Sequence, residues 1–205
     1  MGWEDDNDDT PRTLYGYLHA GDAQSFERLI RERPEFLRRP DGSEAWLMEA
    51  SQLGVLPAVQ ALVELGIDVN ESRDQNDPTE VALGIAAALG HVDVVEWLLN
   101  HDAEVNIKWK GQQTCFPLFG AARHGHVEIV KLLIDRGANT DFIWNGRNVV
   151  MEASTYGKKE VVEYLKSIGI PDLREITPPD YPASHELITR ICPASVENGI
   201  GVWSG

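Results

Sequence analysis

The chain is poor in cysteine and in positive charge, and it has no long apolar run. Two cysteines in 205 residues, Cys115 and Cys192, cannot build a disulfide framework, and neither sits in a CxxC pair. Free thiols in a reducing compartment are the expected state. The N terminus, Met1-Gly2-Trp3-Glu4-Asp5-Asp6, lacks the basic start and apolar stretch of a secretion signal, and Asp6 stands where a myristoylation motif needs Ser or Thr. No run approaches 18 apolar residues, so a cytoplasmic protein without a membrane association is expected. Basic side chains number 18 against 33 acidic, a formal charge of -15. That balance argues against nucleic acid as a partner, because polyanions repel. Gly-x-Ser-x-Gly, phosphate-loop and dinucleotide-binding glycine patterns are also missing.

What is present is repetition. Gly90-His91-Val92-Asp93-Val94-Val95-Glu96-Trp97-Leu98-Leu99 recurs 35 residues later as Gly125-His126-Val127-Glu128-Ile129-Val130-Lys131-Leu132-Leu133-Ile134. The same frame places glycines at 21, 54, 90, 125 and 157, spaced by 33, 36, 35 and 32 residues. A second series lies twelve residues further on, at Gly66, Gly137 and Gly169, with Asp102 in this place in the third unit. Apolar residues at glycine +5, +8 and +9 share one helical face, and the second glycine ends that helix in a left-handed cap. A shorter helix precedes each first glycine, with an apolar residue seven positions before it: Leu14, Leu47, Leu83, Leu118 and Val150. Small residues, as in Ala86-Ala87 and Ala121-Ala122, allow neighbouring helices to approach closely.

Gly-His-x-x-Val-Val-x-x-Leu-Leu followed by Gly-Ala-x-x-Asn resembles the ankyrin repeat, and Phe116 to His126 is similar to its first helix and turn. The resemblance covers residues 12–170, with units near 12–40, 41–76, 77–111, 112–146 and 147–170. It implies an all-α fold, an ankyrin-repeat solenoid of stacked helix-turn-helix pairs with finger loops. The family's Thr-Pro-Leu-His start is present in no unit, Phe116-Pro117-Leu118-Phe119 coming nearest. Lys166 replaces the +9 apolar residue of the last unit, which marks a polar C-terminal cap, and Pro34 stops the second helix of the first unit. Residues 1–11 form an acidic N-terminal segment. Residues 171–205 form a proline-rich nonrepeat tail in which a short helix near 183–191 is expected; Ile170 to Leu173 is expected to run as an extended strip. Residues 178–188 are also similar to the start of suppressor-of-fused-type domains.

The resemblance further implies a noncatalytic protein-protein interaction scaffold, a monomer with no cofactor and no metal. Its partner, a protein or peptide, is expected on a concave groove formed by the residues just before each first glycine and by the fingers. Carried over by position, this selects Leu53, Leu89, Arg123, His124 and Tyr156 on the short helices. The fingers add Arg73, Gln75, Lys108, Trp109, Lys110, Trp144, Asn145 and Arg147. Trp109 and Trp144 each stand two residues before a glycine at a loop tip, where a binding hot spot or a packed pair of rings are the two readings. Lys108, Lys110, Arg123, His124 and Arg147 suggest a basic patch in an acidic chain. Two alternative functions follow from other features. The net charge suits an immunity or regulatory protein that neutralises a basic toxin or nuclease. Cys115, at a helix start with His124 downstream, suits a cysteine-dependent enzyme.

Overall fold

The computed structural model describes residues 10–37, 45–72, 81–109 and 112–176. The segments 1–9 and 177–205, with the helix expected near 183–191, the suppressor-of-fused-like stretch and Cys192, lie outside the described residues. The chain divides into two compact units, Met1–Glu104 and Val105–Gly205.

The first unit is a row of helix pairs: α1 (Thr10–His19) with α2 (Ala23–Glu32), α3 (Ala45–Leu53) with α4 (Leu56–Glu64), and α5 (Ala82–Leu89) with α6 (Val92–Asn100). The inner helices α1, α3 and α5 pack side by side, as do the outer helices α2, α4 and α6. Asp22 caps α2 by accepting from the Ser25 N–H, and Pro34 ends the pair in a single 3-10 turn, Pro34–Phe36. Trp46 is buried, donates its indole N–H to the Phe36 carbonyl at 2.8 Å and meets Phe26 edge-on, closing the first pair onto the second.

The second unit opens with a finger, β1 (Ile107–Trp109) paired antiparallel to β2 (Gln112–Thr114), with Ile107 opposite Thr114. Then come α7 (Phe116–His124) with α8 (Val127–Asp135), α9 (Val149–Thr155) with α10 (Lys159–Ser167), and the short α11 (Leu173–Ile176). Again α7 packs on α9 and α8 on α10. Apart from this three-residue ladder, the named elements are helical. Of the segment read as an extended strip, residues 170–172 are non-helical and only Leu173 enters α11, which Asp172 starts by accepting from the Arg174 and Glu175 backbones through its side chain and carbonyl.

All five residues seven before the glycine, Leu14, Leu47, Leu83, Leu118 and Val150, are buried. On the outer helices the core face is rotated from the expected one. Val94, Val95 and Leu98, like Ile129, Val130 and Leu133, are fully buried, whereas Leu99 and Ile134 are only half-buried. The stripe is therefore +4, +5 and +8: positions +4 and +8 lie one above the other against the inner helix, and +9 falls to the flank. Lys166 is exposed at this place in the last pair.

At the first turn of each pair the backbone is left-handed. Gly54 illustrates why: its φ is +69°, and a Cβ there would lie 2.4 Å from Nδ1 of His91. That ring occupies the space because its Nε2 is 2.9 Å from the Gln52 carbonyl, tying the third helix pair to the second. Asp102 takes the same left-handed region at φ 65° without glycine's freedom.

Candidate functional site

The residues just before each first glycine sit at the C-terminal ends of the inner helices. In the first unit Gln52 is exposed, Leu53 half-buried and Leu89 is 48% exposed. Arg73 and Gln75 lie outside the described residues.

In the second unit Arg123, His124 and Tyr156 are exposed at the ends of the two packed helices α7 and α9. Arg147 is exposed at the root of a second finger, where Trp144 and Arg147 exchange backbone hydrogen bonds of 2.9 Å in both directions. Asn145 and Gly146 close that finger with φ of 50° and 73°, the two consecutive left-handed residues of a tight hairpin turn. Trp144 is half-buried, with its ring centroid 5.0 Å from Phe116 and 6.4 Å from Phe142. Phe142 in turn meets Phe116 and Phe119 edge-on, so the finger stands on an aromatic cluster. Lys108 and Trp109 belong to β1, but the described structure extends only to their backbone; Lys110 lies outside it.

A residue that sequence reasoning passed over organises this face. Glu152, on α9, is 3% exposed, and its Oε1 accepts from Arg123 Nε at 2.7 Å and lies 2.6 Å from Arg123 Nη2. Its Oε2 stands 3.6 Å from Arg147 Nη1. The Arg123 guanidinium also lies over the Tyr156 ring, 5.1 Å from its centroid. Two guanidiniums thus share one carboxylate. The signal was in the repeat itself: Met-Glu-Ala-Ser stands at both 48–51 and 151–154, five residues before the glycine at the glutamate. In the first unit the equivalent Glu49 holds His19 at 3.1 Å, and His19, like Arg123, is two residues before its glycine.

Burial first, and then the positive charges of His126, Arg123 and Lys158, hold His124 below its ordinary 6.5, which favours its neutral form. The basic patch consequently reduces to Arg123 and Arg147 against Glu152 among the described side chains. Cys115 overturns the expectation of an activated thiol. It is fully buried, and desolvation pushes its pKa up to about 12, so the thiolate that nucleophilic chemistry requires does not form. Among the described residues no three His, Cys, Asp or Glu side chains group as metal ligands, and no helix is long and apolar enough to cross a membrane.

Comparison with known proteins agrees with this geometry. Residues 83–134 match the family profile for ankyrin repeats (many copies). The rat protein named ankyrin repeat and SAM domain-containing protein 6 is 33% identical over 106 residues, 51% of this chain and 12% of that protein, so the chain spans about an eighth of that relative's length. Among solved structures, the human ASB11 ankyrin repeat domain superposes with a TM-score of 0.67 at 22% identity, covering 77% of this chain and 69% of that one. Repeated glycine frame, stacked helix pairs and these matches lead to one assignment: residues 83–134 are ankyrin repeats, and the described helix pairs share the ankyrin-repeat fold.

Proposed function

We propose that this scaffold for protein-protein interaction binds its protein or peptide partner on the pre-glycine ends of the inner helices and on the adjoining fingers. The observation that carries the reading is the exposure of Arg123, His124 and Tyr156 together on α7 and α9, helices whose other faces are buried. A tyrosine beside an arginine is the composition most enriched where binding energy concentrates. The exposed Leu89 supports the same role for the equivalent end in the first unit. Such a surface is held by buried cores on both helices, so docking would involve little backbone change. Neutralisation of a basic toxin rests only on net charge, and the guanidiniums on the second unit's face have the wrong sign for it.

Affinity capture with the full chain as bait tests this. His124→Ala with Tyr156→Ala should abolish recovery of the captured protein. Glu128→Ala with Glu160→Ala, exposed on the outer helices, should leave recovery unchanged. Loss in the outer-helix variant alone would overturn the assignment.

A further inference from the structure

Resting on the binding face just described, we infer that the partner is an acidic peptide segment, one of whose Asp or Glu carboxylates docks on Arg147 beside the Arg123–Glu152 pair, with an apolar side chain on Tyr156. The ledger of hydrogen bonds points there. Glu152 is saturated at one oxygen by Arg123, which spends its Nε and Nη2 on it. Arg147 comes no nearer than 3.6 Å to the other oxygen, and its guanidinium makes no hydrogen bond within the described residues. Its side chain is 46% exposed. A planar fork with open N–H groups, held by a hairpin only two residues long, is preorganised for a second carboxylate.

Charge points the same way. Among Arg123, Arg147 and Glu152, two guanidiniums against one carboxylate leave an excess of positive charge, in a chain whose total is -15. The equivalent place in the second repeat shows that this is not a general property of the fold. There the glutamate pairs with His19, and the position matching Arg147, ten before the glycine, is Glu44. Tyr156 adds the apolar contact: Arg123 lies over its ring, yet the residue remains 48% exposed.

The test uses the full chain and a displayed random dodecapeptide library, followed by synthesis of the enriched sequences as fluorescein-labelled peptides. Enriched peptides should carry Asp or Glu with net negative charge. Exchanging that Asp or Glu for its amide in the peptide should weaken binding at least ten-fold, and Arg147→Gln in the protein should do the same with unchanged circular dichroism and thermal midpoint. The loss on raising salt from 50 to 500 mM should also exceed that seen with Arg147→Gln. Enrichment of neutral or basic peptides, or acidic peptides indifferent to Arg147→Gln, overturns the inference. If those peptides still lose binding with Tyr156→Ala, the face stands and only the carboxylate reading fails. If no peptide depends on Tyr156 or His124, the face itself fails. Displacement of the peptide by a labelled single-stranded oligonucleotide that also needs Arg147 would show a phosphate reader and overturn the inference as well.

Discussion

Removing either partner of the Arg123–Glu152 pair should have unequal consequences, because burial divides unequally between them. The Glu152 side chain is 4% exposed and that of Arg123 45%. In Arg123→Gln the carboxylate stays buried while its two contacts at 2.6 and 2.7 Å are lost, and Arg147, at 3.6 Å, replaces them only in part. A stranded buried ion costs about 3–5 kcal/mol when nothing replaces its partner, so about 2–3 kcal/mol is expected here. In Glu152→Gln the half-exposed guanidinium returns to water and the amide oxygen still accepts one hydrogen bond, for a loss of about 1 kcal/mol or less. Urea unfolding followed by circular dichroism measures both. Because a repeat stack is held by neighbour contacts, the loss should appear as early melting of the last helix pair. Equal losses, or a larger one for Glu152→Gln, would refute the reasoning that the carboxylate is the desolvated partner.

Three further outcomes follow from other parts of the molecule. Gly54→Ala should cost about 2–4 kcal/mol, from left-handed strain plus displacement of the His91 ring, whereas Gly66→Ala, with φ +97° and open space, should cost only the strain, about 1–2 kcal/mol; thermal unfolding separates them. Asp172 is held below its ordinary 3.8, chiefly by the hydrogen bond from Arg174. A depressed carboxylate stabilises fully above its unfolded pKa and ceases to do so as pH falls through the folded one. The α11 segment should therefore loosen below about pH 4, and Asp172→Asn should remove that acid step in a pH titration of amide exchange. Cys115 should resist iodoacetamide at pH 8 in the folded protein and react once urea opens the second unit; fast labelling of the native chain would contradict its burial.

The layered fold was legible because its signals are periodic. Five glycines in one frame, the leucine or valine seven before each and the paired alanines all recur, and the structure buries those apolar residues. The outer-helix face came out one position away from expectation, since apolar residues at 129, 130, 132, 133 and 134 leave the angle of the stripe open until a neighbour is packed against it. The β-ladder at 107–114 was not visible because three-residue strands are shorter than any pattern that alternation can establish. Glu152 was missed for a different reason. A glutamate on a helix ordinarily reads as a solvated face, and only the tertiary approach of Arg123, 29 residues away, makes its burial affordable. The same holds for Trp144: a tryptophan near a Gly-containing tip reads equally as hot spot or prop, and its rings of contact with Phe116 and Phe142 appear only on folding.

The most direct measurement of the central claim is hydrogen–deuterium exchange of the full chain with and without its captured partner. Protection is expected at the C-terminal ends of α7 and α9, over residues 121–125 and 153–157, and at the 144–147 finger. Protection confined to the outer helices α8 and α10, with these three segments unchanged, would contradict it.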